Sequence, residues 1–537
     1  MEFLSKTLRW VTGCDLTLDM MEPDPLHSPR ERTVKELARM LEENRVIHVR
    51  GTPASGKTIL ARLLSNHYRQ ERIAVITFHS WRTTPPQYYK DKIIDEARRR
   101  GYRQFDAQFV EDGNYVLILD EGQMTYRDEA LWIELIKNQS GSHFGPRICI
   151  FTCYGSPTEG PDSEYSAGSP LAYLGPQQRV SITPSLIQFS PWVALFYNSE
   201  EFEDVVERFC HRESQNPQLR LDGTAREYIF NLTHGHPGAV DGLLHMLLQV
   251  YHSELKHEEI TLNDSHIISS LDNEAQAFAY LMSAPVSRSF PRPKRVSPEA
   301  AEILRKALSE GNVDRDLNNE GIKQCYENGW LHSEPTDADA EHIVCVFPTR
   351  LHAKFVEHYW TSSTMDFPLE RYPNITALAQ AVLARFSPRN ISGGTRRFGD
   401  AAIIRPWEAT YQDEFYRAAH EVLGYAMNVT SEWSSGGQGR IDFRFAQVGW
   451  RIELLREGDR LKEHCERFAS TGTYARWIAD GSIKDWLIID CRTTRPEPYG
   501  IPDPKFWRAV FAADYLSVEI LDWSNKVLFP KIPLMSS

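Results

Sequence analysis

At 537 residues the chain is too long for one ordinary domain, and roughly three or four units of about 150 residues are expected. Hydrophobic residues make up 41% and charged residues 25%, as in water-soluble globular proteins, and no run approaches the ~18 apolar residues that span a bilayer, so a membrane-embedded class is excluded. The net charge of −13 argues against a general nucleic-acid coat, but from residue 366 onward 22 Lys and Arg meet 22 Asp and Glu, so the excess lies earlier and a local basic groove can form in the C-terminal part.

Residues 1–30 end in the Pro-rich MEPDPLHSPR and read as an N-terminal extension. They hold no apolar core of signal-peptide length, so a soluble chain made in the cytosol is expected, acting in cytoplasm or nucleus or, after receptor-read export, in a host cell. A helical pattern over 34–41 leads to the strand VIHVR, the string GTPASGKT and the helix ILARLLSNHYRQ. Strands IAVITF (73–78), YVLILDE (115–121) and RICIFTCY (147–154) follow. Short apolar strands alternating with amphipathic helices predict βαβ units around a buried parallel sheet, assigned to residues 31–220. The Gly-, Pro- and Ser-rich stretch 155–179 reads as a long surface loop, then VSIT as a strand and SEEFEDVVERFC as a helix.

Residues 221–262 read as a helical lid. Over 263–362, helices lead into GIKQCYENGWLHSE and HIVCVFPTRLHAKFVEHYW, a helix, short hairpin and helix that suggest a winged-helix-like module. The turn-rich 361–374 reads as a linker. From 375 to 537 the order is ALAQAVLARF, the helix EATYQDEFYRAAHEVLG, strands RIDFRFA and GWRIELLRE, a helix over 460–469, a helix near Tyr474 and the strand DWLIIDCR. The eight cysteines make no CxxC pair and no zinc spacing, so buried, reduced thiols are expected.

The string Gly51, Thr52, Pro53, Ala54, Ser55, Gly56, Lys57, Thr58 meets GxxxxGK[ST] at every fixed position, between a strand and a helix. Glycines let the backbone wrap a phosphate, and loop amides with the helix N-terminus supply positive potential. Lys57 can reach the β- and γ-phosphates, and the Thr58 hydroxyl can ligate Mg²⁺. YVLILDE delivers Asp120 to a strand end as the second magnesium-side group, with Glu121 placed to polarise the attacking water. The ligands implied are ATP and Mg²⁺. Thr152 or Tyr154 can sense the γ-phosphate, and Arg127 and Arg147 are candidate arginine fingers.

Over residues 45–245 the order of parts resembles the signalling branch of AAA-like ATPases, the STAND class. THGHPGAVDGLL (233–244) looks like the GxP motif of that class, with Gly235, His236 and Pro237. The resemblance implies that the motif sits on the helical lid and that Pro237 contacts the nucleotide. Over about 35–500 the chain also resembles the crinkler family, in which a P-loop NTPase is joined to a nuclease-like C-terminal domain. The residues that carry this are the Walker elements, the loop beginning TCYGSPTEG, and GRIDFRF with GWRIELLREGDRLKEHCERF. The ubiquitin-like header of that family is not found.

The C-terminal order is similar to the PD-(D/E)XK nuclease core, where an Asp and a Glu on adjacent strands hold Mg²⁺. That similarity implies Asp442 and Glu453 as catalytic metal ligands and Glu414 as the helical acid. The lysine of the pattern is absent, its place taken by Leu455, and Lys462 or Arg460 is the candidate substitute; His464 and Tyr474 line the same cleft. Glu453 also stands in a run that reads as buried, and a buried carboxylate is costly unless paired or metal-bound. Arg396, Arg397, Arg405, Arg440, Arg444, Arg451, Arg456 and Arg460, with Trp407, Trp433 and Trp450 between them, can serve phosphates and bases.

The expectation is therefore an α/β multidomain chain: a P-loop NTPase with a parallel sheet, a helical lid, a winged-helix-like module and a restriction-endonuclease-like α/β domain at the C-terminus. In function it reads as an ATP-hydrolysing switch coupled to a magnesium-dependent DNA nuclease. The alternatives are a nucleotide-regulated DNA- or protein-binding effector with an inactive nuclease fold, and a scaffold that forms homo-oligomers with ATP.

Overall fold

The computed structural model describes residues 27–534, except 83–86, 155–173, 186, 213–217, 258–259, 273, 337–341, 361–366, 389–390, 392–406, 424–428, 434–440, 446, 459 and 501. Most of the N-terminal extension and of the 155–179 loop, Arg396, Arg397, Arg405, Arg440 and the side chains of Trp407 and Trp433 lie outside the described residues.

The chain is an α/β protein of several layers. Its first sheet holds β1 (Val46–Arg50), β2 (Ala74–Phe78), β3 (Tyr115–Leu119), β4 (Arg147–Thr152) and β5 (Arg179–Val180), in the order β2-β3-β4-β1-β5. Every pairing is parallel. β3 and β4 are buried at every residue, which is why both read as unbroken apolar runs. Helices α1 (Glu31–Asn44) and α2 (Lys57–Gln70) cover one face, and α3 (Tyr89–Arg99) packs beside β2 on the other. Because β4 lies between β1 and β3, the C-terminal ends of these three strands stand side by side. The strand expected over VSIT is shorter, ending at Val180.

Arg30, placed by sequence in the extension, belongs to this core. It is buried and donates to the carbonyls of Ala194, Leu195 and Phe196 and to Glu201. Helices α4 (Ser199–Cys210), α5 (Gly223–Thr233) and α6 (Pro237–Val250) follow, then Asp264–Asp272 and Glu274–Leu281, around one apolar core. α4 begins at a capping box between Asn198 and Glu201. α6 begins with Pro237 at its first position, where a missing N–H costs nothing.

Next, α7 (Pro298–Glu310), β6 (Val313–Asp314), α8 (Glu320–Glu327), β7 (His332–Pro335), β8 (Ile343–Val346) and α9 (Arg350–Trp360) form a small unit whose antiparallel sheet runs β6-β8-β7.

The C-terminal region opens with α10 (Ile375–Leu383) and α11 (Trp407–Leu423). Its seven-stranded sheet contains β9 (Val429–Trp433), β10 (Ile441–Phe445), β11 (Trp450–Arg456), β12 (Asp485–Arg492), β13 (Phe506–Phe511), β14 (Ser517–Leu521) and β15 (Val527–Pro533), side by side in chain order. β9, β10 and β11 are antiparallel, and β12 joins β11 in parallel after α12 (Leu461–Arg467) and α13 (Ala475–Ala479). On β11, Trp450, Ile452 and Leu454 enter one core, whereas Leu455 enters the core on the opposite face. With a strand period of 2, Arg451 and Glu453 share the Leu455 face. Phe367 and Tyr372, read as linker, are buried in the C-terminal core, with Phe367 edge-on to Trp450 at 5.1 Å.

Candidate nucleotide site and the C-terminal carboxylates

The loop between β1 and α2 is shaped by two left-handed residues, Ala54 (φ 60°) and Gly56 (φ 85°). At Gly51 a Cβ would fall 2.1 Å from Leu195 Cδ2 and 2.9 Å from Ser55 Oγ, so only glycine passes there. The Lys57 ammonium folds onto the loop, donating to the carbonyls of Gly51 (2.8 Å) and Thr52 (2.7 Å). At the end of β3, Asp120 Oδ2 accepts from Thr58 Oγ1 at 2.9 Å, with His79 Nδ1 at 3.4 Å. Asp120 Oδ1 is buried and, among the described residues, has no hydrogen-bond partner. A buried unsatisfied oxygen costs roughly 1–3 kcal/mol, and more when charged. Two hard oxygen donors, one of them unsatisfied, fit a divalent cation such as magnesium at Thr58 and Asp120.

Glu121 adopts φ 56° and turns toward β4, where its Oε2 accepts from Gln123 Nε2 at 2.5 Å and lies 3.6 Å from Cys153 Sγ. Gln123 Oε1 in turn accepts from Cys153 N. Thr152 faces into the sheet: its Oγ1 is 2.6 Å from His48 Nε2, so it is a buried structural contact rather than a free sensor. Burial pulls the His48 imidazole down to about 3 and keeps it neutral. Tyr154 accepts from Tyr126 through its carbonyl. Arg147 is corrected as a finger candidate. It starts β4, at the edge opposite the loop, and pairs with Glu42 and Asn114. Arg127 lies in the turn after the short helix Gly122–Thr125.

Two distant segments press on the loop. From the lid, Gly238 N donates to Ala54 O at 3.0 Å, and Pro237 Cγ lies 3.1 Å from where a Cβ on Gly56 would sit. His236 Nδ1 accepts from Ala239 N, so its Nε2 carries the proton that points to Thr52 Oγ1 at 3.4 Å. Burial holds His236 down to about 3. From the small antiparallel unit, Gly329 (φ 68°) sits where a Cβ would be 2.6 Å from Pro53 Cδ. Arg50, at the end of β1, donates to Ser333 Oγ (2.8 Å), Ser333 O (2.9 Å) and Tyr326 OH (3.2 Å). Ser181 Oγ meets His332 Nε2 at 2.9 Å. The His352 ring of α9 lies against that of His236, tilted by 50° with centroids 5.2 Å apart. Sequence reading found His236 and Pro237. It missed Gly329, Arg50 and His352, whose contacts are long-range and leave no local pattern.

No family model matches the chain, and no curated protein matches it. Among solved structures it is similar to the RuvB Holliday junction branch migration motor of Thermotoga maritima, at 13% identity over 59% of this chain and 91% of that one, with a TM-score of 0.30. It is similar to a Walker-type ATPase of Pyrococcus abyssi, at 13% identity over 63% and 99%, with a TM-score of 0.35. It is also similar to Hsp104 with ATPγS and FITC casein, at 14% identity over 57% and 50%, with a TM-score of 0.29. Likenesses this distant say nothing of the site. The parallel sheet, the glycine-shaped loop and the Thr58–Asp120 pair themselves define a P-loop NTPase domain.

The C-terminal carboxylates are held differently. Glu453, 1% exposed, accepts from Tyr474 OH through Oε1 at 2.7 Å and from His464 Nδ1 through Oε2 at 2.8 Å. Arg467 NH1 lies 3.8 Å from Oε1. Burial, with Glu453 beside it, drives the Tyr474 phenol far up. Asp442 on β10 accepts from Leu454 N at 2.7 Å and from Gln412 Nε2 at 3.0 Å. The two acids are therefore neighbours across β10 and β11, and each oxygen already has a protein donor. Among the described residues no three His, Cys, Asp or Glu side chains gather as a metal set. These residues do not fit a magnesium ion.

Two candidates are corrected. Glu414 is buried in a different role, accepting from Ser387 N at 2.5 Å and from Arg417 NH2 at 2.7 Å. Gln412, roughly 200° away around α11, is the residue that reaches Asp442. Lys462 is 75% exposed and pairs at 3.7 Å with Glu466, because two positions along α12 turn it away from the face that carries His464. The Arg and Trp groove thins as well. Arg451 is buried, donating to Trp450 O and Ser482 O, and Trp450 is buried against Phe367.

Proposed function

We propose that the chain is an ATP-binding and ATP-hydrolysing switch. It would comprise an extension (1–30, of which Arg30 packs into the core), a P-loop NTPase core (31–220), a helical lid (221–262), a winged-helix-like module (263–362) and a PD-(D/E)XK-like domain (375–537, with Phe367 and Tyr372 packed into its core), an organisation like that of the crinkler family. The observation that carries the reading is the meeting of Gly238, His236 and Gly329 on one phosphate loop. These contacts give the lid and the winged-helix-like module a direct way to respond to a change in that loop.

In this reading Lys57 leaves the Gly51 and Thr52 carbonyls for the β- and γ-phosphates. Thr58 and Asp120 would hold magnesium, which when bound neutralises charge on the phosphate oxygens. Glu121, released from Gln123, orients the attacking water. The loop amides and the α2 N-terminus hold the phosphates. Pro237 and His236 lie against the loop and report its state to α6 and, through His352, to α9.

For the C-terminal domain, the occupied oxygens of Glu453 and Asp442 and the Leu455 in place of lysine favour a nucleic-acid-directed module without a magnesium centre. The test is ATP binding and hydrolysis by the full chain with and without nucleic acid, wild type against Lys57→Ala. We expect hydrolysis that Lys57→Ala removes and nucleic acid changes. Equal hydrolysis by both proteins would overturn the switch.

A further inference from the structure

Where α9 and α11 meet beside α7, polar atoms are sealed in without partners. Among the described residues, Trp360 Nε1 of α9 and Tyr416 OH, His420 Nδ1 and His420 Nε2 of α11 are buried and make no hydrogen bond. Elsewhere such atoms are mostly a single Nε of an arginine, one of several donors on that group. Here they are all the polar atoms that the three side chains have. Tyr416 packs against both the core of the small antiparallel unit and the C-terminal core, and Trp360 packs against the former. His420 stands edge-on to Tyr416 at 4.5 Å, one turn along the same face of α11. Across the contact, Glu357 of α9 faces the Tyr416 hydroxyl, which stays outside hydrogen-bonding geometry. Burial pushes the Glu357 carboxyl up to about 8 and pulls the His420 imidazole down to about 4, so neither brings a charge to the contact at neutral pH. A buried donor or acceptor with no partner forfeits its bonds to water. Closing this contact therefore costs free energy that opening it would return.

The other end of α9 reaches the phosphate loop. His352 is held by Thr349 Oγ1 at 2.7 Å and Ser289 Oγ at 2.8 Å, and its ring lies against that of His236, whose Nε2 points to Thr52 Oγ1. His352 and Glu357 share one helix, so a shift at the first is carried to the second. On the far side, α11 carries Gln412, which donates to Asp442 Oδ1 at 3.0 Å. We propose that the α9–α11 contact is a release joint: nucleotide on the phosphate loop opens it, and opening frees α11, with Gln412 and Asp442, from the winged-helix-like module. The proposal rests on reading the chain as an ATP switch and names what the switch moves. In the closed form Lys57 lies on the Gly51 and Thr52 carbonyls. Drawing it to a phosphate takes a hydrogen bond from Thr52, the residue that His236 meets. In the open form the indole, phenol and imidazole reach water, so a ligand that favours the open form has only a modest gap to overcome.

The test is carbethoxylation of His420 by diethyl pyrocarbonate in the full chain, read by mass spectrometry, with and without the non-hydrolysable analogue AMP-PNP and Mg²⁺. At 1% exposure the imidazole is shielded in the closed form. Expected is modification roughly 10-fold or more faster with nucleotide, a step common between coupled sites. Tyr416→Phe removes only the unpartnered hydroxyl. It is expected to raise the melting temperature by about 2 °C, where loss of a hydrogen-bonded hydroxyl would lower it, and to slow the nucleotide-driven modification. His420→Leu serves as the second variant should Tyr416→Phe not fold; it is expected to melt higher and to show a smaller nucleotide response in hydrogen exchange of α11. Nucleotide binding is measured on the same samples by equilibrium dialysis. Binding that leaves His420 no more reactive would overturn the release joint and leave the switch standing. Lower melting temperatures in both variants would also overturn the joint, because these groups would then have partners in the closed form. No nucleotide binding would overturn the switch reading and the joint with it.

Discussion

Two acidic strand ends in this molecule carry similar sequence signals and have opposite surroundings. Asp120 ends an apolar strand with one oxygen on Thr58 and the other buried without a partner among the described residues. Glu453 stands in an equally apolar strand with both oxygens taken by Tyr474 and His464. Both positions bury a carboxylate. Only the first leaves an oxygen without a donor among the described residues, and that separates a carboxylate open to an outside ligand from one whose hydrogen-bond donors are the protein's own side chains.

The largest expected effect is at the nucleotide. Lys57→Ala and Asp120→Asn should each lower ATP hydrolysis by ~100-fold or more, since each removes charge stabilisation at the phosphates; a steady-state phosphate-release assay reads this. Stability sharpens the contrast further. Glu453→Ala leaves the buried donors of His464 and Tyr474 without their acceptor, while Arg467 keeps Glu463, and should cost about 1–3 kcal/mol for each donor so left. Asp120→Ala removes an unsatisfied oxygen and should change stability by less than about 1 kcal/mol. Chemical denaturation of the two variants side by side measures the difference, and equal losses would break the comparison.

Gly238→Ala tests the lid. The added Cβ would meet Ala54 O at 2.8 Å and Ala54 Cβ at 2.9 Å. An overpacking cost of about 1–3 kcal/mol is expected, together with a weaker hold of α6 on the loop, read by melting with and without ATP. A pH-dependent effect concerns Glu357 of α9, where burial, joined by the Glu274 carboxylate, pushes the carboxyl up from 4.5 to about 8 against the lowering pull of Lys354 and of Tyr416 on α11. Its folded value exceeds its unfolded one, so its contribution is full below about 4.5 and is lost as pH rises through about 8. Glu357→Gln should flatten that decline in a pH series of unfolding midpoints.

How far each region could be read from sequence follows from how local its physics is. The phosphate loop needs glycines and a lysine at fixed offsets, so residues 51–58 declare themselves, as does the apolar run delivering Asp120. The lid motif was legible only through its resemblance to the GxP motif; in the structure Pro237 opens α6 and Gly235 takes φ 72° against Tyr197 O. Gly329 on Pro53 and Arg50 on Ser333 were not visible, because they join segments far apart in the chain. β9 escaped because VTSEW has too little alternation to read as a strand. In the C-terminal region the acids were legible but their partners only in part. His464 and Tyr474 were placed in the cleft by resemblance, while Arg467 follows only once α12 is seen to set positions 464 and 467 over β11.

The most direct test counts metal ions. Mn²⁺ binding to the full chain, followed by electron paramagnetic resonance with and without ATP, should show one ion per chain that requires nucleotide. That ion should vanish in Asp120→Asn and persist in Asp442→Asn. A nucleotide-independent ion that disappears in Asp442→Asn would contradict the account, because it would place a metal where protein donors already hold Asp442 and Glu453.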